Sequence, residues 1–187
     1  GRIGRYPVGV PMLDMNTIGA GGGSIAFADS GGLLRVGPQS AGANPGPACY
    51  GKGGTEPTVT DANLVLGRLP KNAELAGGLK LDIKRARLAI ENLGSSLGLT
   101  TEETADGIIR IANEHMSKAI RLISVNKGHD PKEFMLASFG GAGGLHRVRG
   151  RHDHGALPGA PRNRLANSIL HAGPADAPSL YDHLDHG

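Results

Sequence analysis

Asp14-Met-Asn-Thr-Ile-Gly-Ala-Gly-Gly-Gly-Ser-Ile-Ala26 sets four glycines within residues 19–23, between two strand-like runs. Glycine has no Cβ, so its backbone approaches an anion closely and reaches positive φ values that let neighbouring N–H groups converge on a phosphate. Ahead of the cluster, Val8 and Val10 lead to Pro11, and Met12-Leu13 precede Asp14. Behind it, Ser24-Ile-Ala-Phe-Ala-Asp29 reads as a second strand. Ser30-Gly31-Gly32 is a turn signal, and Leu33-Leu34-Arg35-Val36 returns as a hairpin partner. Residues 7–36 are therefore expected to be β.

The glycine cluster has three readings. Gly21 to Ala26 formally fits the dinucleotide fingerprint G-x-G-x-x-A, but that fingerprint must open a helix, and here a strand-like alternation follows. A glycine-rich hairpin corner is the plain reading. The third is a phosphate-binding hairpin like that of the actin/hexokinase/Hsp70-type ATPases, where an acidic residue just before the turn helps to hold the metal–nucleotide. Asp14 stands in that position, suited to act through Mg²⁺ and water.

From Gly37 to Thr60 the chain reads as one long loop in which Gly and Pro recur every few residues. Within it, Gly46-Pro-Ala-Cys-Tyr-Gly-Lys52 formally fits the P-loop pattern. The next residue is Gly53 rather than the Ser or Thr that would ligate Mg²⁺, and neither a strand before nor a helix after it is evident, so that reading is rejected. Lys52 then reads as a solvated loop lysine. Cys49 has no partner histidine fixed near it and reads as an inert small residue.

Helices follow. Thr60 or Asp61 is placed to cap a short helix through Leu69, stopped by Pro70. Ile83, Ala86, Ile90, Leu93 and Leu97 recur at helical spacing and give one apolar face. Thr100 and Glu103 make a capping-box pair for a helix from about Thr101 to Asn126. Its stripe is Ala105, Ile108, Ile109, Ala112, Met116, Ala119, Ile120 and Ile123, and Gly128 ends it. Asp130-Pro131 can cap a single turn, after which Phe134-Met-Leu-Ala-Ser-Phe139 is a buried-strand run emptying into Gly140-Gly-Ala-Gly-Gly144. A strand–glycine–helix turn of this kind lets a flat adenine base lie against exposed backbone, or is simply a tight turn.

At Arg147 the composition changes. Residues 147–187 hold five of the eight histidines and four prolines, with Val148, Ile169 and Tyr181 the β-branched or aromatic apolar residues. No period persists there, and such a segment is expected to lack a packed core. His152 and His154 about Asp153, and the Asp182-His183 and Asp185-His186 pairs, have no framework that would set ligand geometry, so no metal site is expected of them.

The whole chain has 187 residues, a formal charge of +3, 31 Gly, no Trp, three Phe and three Tyr. The small charge and the lack of aromatics interleaved with basic residues argue against nucleic acid as a partner. One cysteine permits no intrachain disulfide, and a cytoplasmic setting is the expectation. No apolar run nears the roughly 20 residues of a membrane span. The chain begins Gly1-Arg-Ile-Gly without Met and reads as a piece of something longer.

Contiguous text carries a resemblance. Asp14 to Ala26, then Gly31-Gly-Leu-Leu-Arg-Val-Gly-Pro-Gln-Ser-Ala-Gly-Ala-Asn-Pro-Gly-Pro-Ala-Cys-Tyr-Gly51, then Gly53-Gly-Thr-Glu-Pro-Thr-Val-Thr-Asp-Ala-Asn-Leu-Val-Leu-Gly-Arg-Leu69 closely resemble the hydantoinase A/5-oxoprolinase family. Phe139-Gly-Gly-Ala-Gly143 with Leu145-His146 looks like its adenosine-side turn. The match covers about residues 7–146. It departs from the family at Asn16, where a His is common, at Gly144, where a Pro is common, and after His146, where the text reads like translation in another frame. The family's Asp-x-Gly-Gly-Thr phosphate loop is not in this sequence.

The resemblance implies an α/β chain: a partial actin-like (hexokinase/Hsp70-type) ATPase domain of glycine-rich β-hairpins and packed helices over residues 1–146, with an aberrant tail over 147–187. It implies ATP and Mg²⁺ as cofactors, with Gly21, Gly22, Gly23 and Ser24 near phosphate. Asp14 would be near Mg²⁺ as the catalytic carboxylate, and Gly140, Gly141 and Gly143 near adenosine. The implied reaction is ATP-dependent opening of a small cyclic amide, a lactam or hydantoin, in company with a hydantoinase B-type subunit or domain. A ketone-activating carboxylase subunit is the alternative within the family, and a non-catalytic remnant the alternative outside enzymes.

Overall fold

Asp29 organises the first substantial element. One of its carboxylate oxygens accepts the N–H groups of Gly31 and Leu33, each at 3.0 Å, and the other accepts Arg35 Nε at 2.7 Å. The Leu33 N–H and then the Arg35 guanidinium hold the Asp29 carboxyl below its usual range. The turn thus joins strands written β3 (Ser24–Ala28) and β4 (Leu34–Ser40), which pair antiparallel with Ala26 opposite Val36 and Ser24 opposite Ser40. Alternation puts Ser24, Ala26 and Val36 inside and leaves Phe27 and Arg35 outside. The hairpin is the one that the sequence predicts, with β4 running four residues past Val36, so the long loop begins at Ala41.

The computed structural model describes residues 2–3, 6–7, 16–70, 74–75, 77–130, 134–137 and 171–174. Two short strands, β1 (Arg2–Ile3) and β2 (Tyr6–Pro7), pair antiparallel at the start. The expected strand over Val8–Leu13, and the single turn capped by Asp130-Pro131, lie outside the described residues.

After β4 the chain makes a 3₁₀ turn over Ala48–Tyr50 and enters α1 (Val59–Val65). The cap is Thr58, not Thr60 or Asp61 as the sequence suggests, because Asp61 is the third helical residue of a capping box. Thr58 Oγ1 accepts the Asp61 N–H while Asp61 accepts the Thr58 N–H at 2.9 Å. The helix also stops at Val65 rather than Leu69, and Arg68 N–H then reaches back to the Asn63 carbonyl. Every α1 residue except Thr60 is buried, the Asn63 side chain included, whose Nδ2 donates to the Val59 carbonyl.

A small ladder of β5 (Glu74–Leu75) and β6 (Leu79–Lys80) precedes α2 (Ile83–Leu97), capped by Asp82, which accepts from Lys84 and Arg85 N–H. α2 ends at Gly98, left-handed at φ 69°. The helix α3 (Thr101–Ile123) starts on the predicted Thr100/Glu103 box, and a 3₁₀ turn over Val125–Lys127 carries it to Gly128. Ala105, Ile108, Ile109 and Ala112 are fully buried, whereas Met116, Ile120 and Ile123 are only half-buried, so the stripe is deepest in its first half. Finally β7 (Phe134–Ala137) pairs antiparallel with β8 (His171–Pro174), the one described stretch of the histidine-rich tail.

α1 is the centre of the core. It packs against α2 and α3, α3 also leans on β4, and α2 on the Ala48–Tyr50 turn. Leu64, Val59, Ile90, Ile108 and Ile109 fill the space between them with no exposed surface. The described elements are thus a mixture of helices and antiparallel two-stranded ladders, as expected for an α/β chain.

Two substitutions test this packing. Gly94 lies where α2 meets the start of α3: an added Cβ would stand 2.7 Å from Thr104 Oγ1 and 2.8 Å from the Leu99 carbonyl oxygen. Thr104 is held by its own bond to the Thr100 carbonyl and does not swing aside freely. Overpacking of about 1–3 kcal/mol outweighs the roughly 1 kcal/mol that Ala gains over Gly in a helix. Gly94→Ala should therefore lower the urea midpoint, and a raised midpoint would refute the contact. Asp61→Ala should be harsher, above about 3 kcal/mol, because it strands three buried N–H donors at once.

Candidate functional site

The turn Gly21–Ser24 is built by Ser24. Its N–H donates to the Gly21 carbonyl at 3.0 Å, while its hydroxyl accepts the Gly21 N–H at 2.9 Å and donates to the Gly19 carbonyl at 3.2 Å. The carbonyl of Gly23 accepts from Ala41 N–H at 2.9 Å, just beyond β4. The Gly22 carbonyl accepts twice from Thr60, from its N–H at 2.8 Å and from its hydroxyl at 2.9 Å. Gly21, Gly22, Gly23 and Ser24 thus form a turn tied on one side to the end of β4 and on the other to α1.

The glycines serve closeness rather than handedness. None of residues 19–23 is among the glycines with positive φ. A Cβ on Gly19 would meet Pro38 Cβ at 2.8 Å and Cα at 2.9 Å, and one on Gly23 would meet Ser40 Oγ at 2.8 Å. At Gly21 a Cβ would meet nothing within 4 Å, so that side of the turn is open.

The donors of the turn divide sharply. The N–H of Gly21 is taken by Ser24, whereas the N–H groups of Gly22 and Gly23 donate to no described residue. A trans peptide points its N–H opposite its C=O. With the Gly22 carbonyl fixed on Thr60, the Gly23 N–H points away from α1; with the Gly21 carbonyl turned inward, the Gly22 N–H points out of the turn. Adjacent unused N–H groups in a turn are a site for an anion's oxygens.

Beside the incoming limb lies a groove of about 570 Å³, with Asn16 and Gly19 on one wall and His115, Lys118 and Arg121 of α3 on the other. Among the described residues no carboxylate lines it. Asp14, Gly140, Gly141 and Gly143 lie outside the described residues. Among the described residues, no group of three His, Cys, Asp or Glu is placed to hold a metal ion.

The P-loop-like stretch behaves in the opposite way. Ala48 and Cys49 N–H donate to the Asp61 carboxylate at 3.2 and 2.8 Å, and Tyr50 and Gly51 N–H to the Pro47 and Ala48 carbonyls. Its donors are spent on the protein, which accords with rejecting it as a phosphate cradle. Cys49 is fully buried, and burial together with the Asp61 charge pushes its thiol well up. The dinucleotide fingerprint fails too, since a strand and not a helix follows Gly23.

Sequence reasoning missed Thr60 as a partner of the glycine turn and Asp61 as the buried hub. The Thr58-Val-Thr-Asp61 spacing is itself a capping-box signal, and it locates both residues once the cap is set at Thr58.

The chain is similar to several known proteins. The family model described as hydantoinase/oxoprolinase matches residues 1–151. Caprolactamase subunit alpha of Pseudomonas jessenii is 53% identical over 146 residues, covering 78% of this chain and 21% of that protein. The crystal structure of the ATP-dependent caprolactamase of that organism matches at TM-score 0.73 and 51% identity, over 81% of this chain and 22% of that one. Acetophenone carboxylase gamma subunit of Aromatoleum aromaticum is 45% identical over 146 residues, 77% of this chain and 20% of that protein. 5-Oxoprolinase of Saccharomyces cerevisiae is 45% identical over 149 residues, 74% of this chain and 11% of that protein. The chain thus spans between 11% and 21% of the length of these curated relatives. With the family match over residues 1–151, the chain belongs to the hydantoinase/oxoprolinase family.

Proposed function

We propose that this chain is part of the ATP-handling component of an enzyme that opens small cyclic amides, built on an actin-like ATPase fold. The observation that carries the reading is the pair of N–H groups at Gly22 and Gly23, which donate to no described residue and are turned outward by the bonds of Ser24 and Thr60. Relatives that are an ATP-dependent caprolactamase and a 5-oxoprolinase support it.

An unactivated amide is a poor electrophile, and ATP supplies, when bound, a phosphoryl group that makes the amide oxygen a leaving group. The chain's own residues bind and orient. Gly22 and Gly23 N–H receive phosphate oxygens, and Gly21 and Ser24 keep the turn's shape. Gly140, Gly141 and Gly143 take the adenosine side in this reading, and Asp14 the Mg²⁺ side. Cleavage of the ring falls to a hydantoinase B-type partner. Fixing a phosphate chain with preset donors is how enzymes of this chemistry gain most of their rate, through positioning and charge neutralisation. The second reading, a ketone-activating carboxylase subunit, is favoured by the likeness to acetophenone carboxylase gamma subunit.

The test is ADP release by the complete protein that contains this segment, together with a hydantoinase B-type partner. 5-Oxoproline, hydantoin and caprolactam are each offered in turn. ADP release that depends on one of these and matches ring-opened product is expected, with Asp14→Ala losing most of it. ADP release only with a ketone and bicarbonate would establish the carboxylase instead, and none with any substrate would leave a non-catalytic remnant. The 187-residue chain alone should show no turnover, and should bind MgATP with a dissociation constant on the order of millimolar. A micromolar constant would mean that it holds more of the site than proposed.

Cys49 gives a separate check. A thiol reagent at pH 8 should leave it unmodified in the folded chain and modify it fully in denaturant, since the buried thiol stays protonated. Rapid labelling of the folded chain would return the loop thiol to the list of candidate nucleophiles.

A further inference from the structure

We infer that Thr60 is a positioning residue for the glycine turn, setting the direction of the Gly23 N–H toward a bound diphosphate group. The inference rests on the proposed role of that turn in holding phosphate. Its basis is the pair of hydrogen bonds that Thr60 donates to one atom, from its N–H at 2.8 Å and its hydroxyl at 2.9 Å, both to the Gly22 carbonyl oxygen.

Three features make this more than an incidental contact. First, Thr60 N–H is one of the first-turn donors of α1 that no helical carbonyl can accept, and it is spent on the glycine turn rather than on water. Second, the two bonds fill both lone pairs of the Gly22 oxygen, so the Gly22–Gly23 peptide cannot flip without losing both. Its N–H therefore stays on the face away from α1. Third, the approach is braced on both sides: Ala26 N–H donates to the Pro57 carbonyl at 2.8 Å, and Ile25 pairs antiparallel with Thr58. The chain leading into Thr60 thus runs beside the strand that leaves the turn. Thr60 itself is only half-buried, while its neighbours in α1 are buried, so its side chain is a minor part of the core.

A side chain that touches a carbonyl on the far side of the peptide acts on a ligand only through the backbone. Loss of its hydroxyl leaves the N–H bond in place and lets the peptide rock. The expected consequence is weaker phosphate binding with little change in folding.

The experiment is a titration of the ¹⁵N-labelled 187-residue chain with magnesium pyrophosphate, followed at its glycine amides. In the unsubstituted chain the Gly22 and Gly23 resonances should move, and Gly21, whose N–H is held by Ser24, should move least. Thr60→Val keeps the shape and the backbone donor. It should weaken the titration by about two- to tenfold, the range for one net hydrogen bond, and shrink the Gly23 shift. Thr60→Ser should restore both. A folded Thr60→Val chain that titrates with unchanged affinity and an unchanged Gly23 shift would overturn the inference and leave the phosphate reading standing. Should Thr60→Val not fold, the unsubstituted pattern decides: Gly23 moving no more than Gly21 overturns it. Silence of every amide from Gly19 to Ser24 would instead defeat the phosphate reading on which the inference rests.

Discussion

One buried carboxylate ties the start of α1 to the Ala48–Tyr50 turn. Asp61, with no exposed surface, accepts from Ala48, Cys49 and Thr58 N–H and from the Thr58 hydroxyl, the last at 2.7 Å. Four donors to two oxygens satisfy a buried charge about as fully as a protein can. Through these bonds the start of α1, the 3₁₀ turn over Ala48–Tyr50 and the end of the long loop become one body. Thr60, one residue before Asp61, then carries that rigidity to the glycine turn. Removing Asp61 would leave desolvated donors in two elements, so the hub is a condition of the fold before it is a condition of the site.

The same chain treats two glycine-rich loops in opposite ways, and hydrogen-bond accounting separates them. In Gly46–Lys52 the backbone donors at Ala48, Cys49, Tyr50 and Gly51 are satisfied internally. In Gly21–Ser24 the carbonyls of Gly21, Gly22 and Gly23 are satisfied, and the N–H groups of Gly22 and Gly23 donate to no described residue. A loop whose acceptors are tied down and whose donors face outward presents positive partial charge, and the limb leading into this turn lies beside a groove that Lys118 and Arg121 line, with no carboxylate among its described residues. Composition does not distinguish the two loops, since both are glycine-rich and the P-loop pattern fits the wrong one.

What was legible in the sequence follows from how local each signal is. The β3–β4 hairpin, α2 and α3 rest on period, turn residues and caps within a few positions of each other, and all three are present, although α3 ends at Ile123 rather than about Asn126. The hydantoinase A resemblance rested on contiguous loop text and agrees with the family match. The start of α1 was misplaced because Thr58, Thr60 and Asp61 all suit a cap, and only the buried contacts to Ala48 and Cys49 choose among them. The extension of β4 to Ser40 was missed because Gly37 and Pro38 read as loop, whereas in a two-stranded ladder a proline is tolerated at an edge. Thr60's hold on Gly22 joins residues 38 apart, a distance across which no periodicity reports. The glycines' purpose was also misjudged in part: close packing against Pro38 and Ser40 explains Gly19 and Gly23 without positive φ.

Native-state amide hydrogen exchange tests the central claim most directly, because it reads the hub and the site in one measurement. If Asp61 and Thr60 fix the loops as described, the N–H groups of Ala48, Cys49 and Thr60 exchange only through global unfolding, while Gly22 and Gly23, the two residues just before β3, exchange rapidly. Fast exchange at Ala48 and Cys49, or protection at Gly22 and Gly23 equal to that of Ala26, would contradict the account: the carboxylate would not be the hub, or the turn's donors would already be spent.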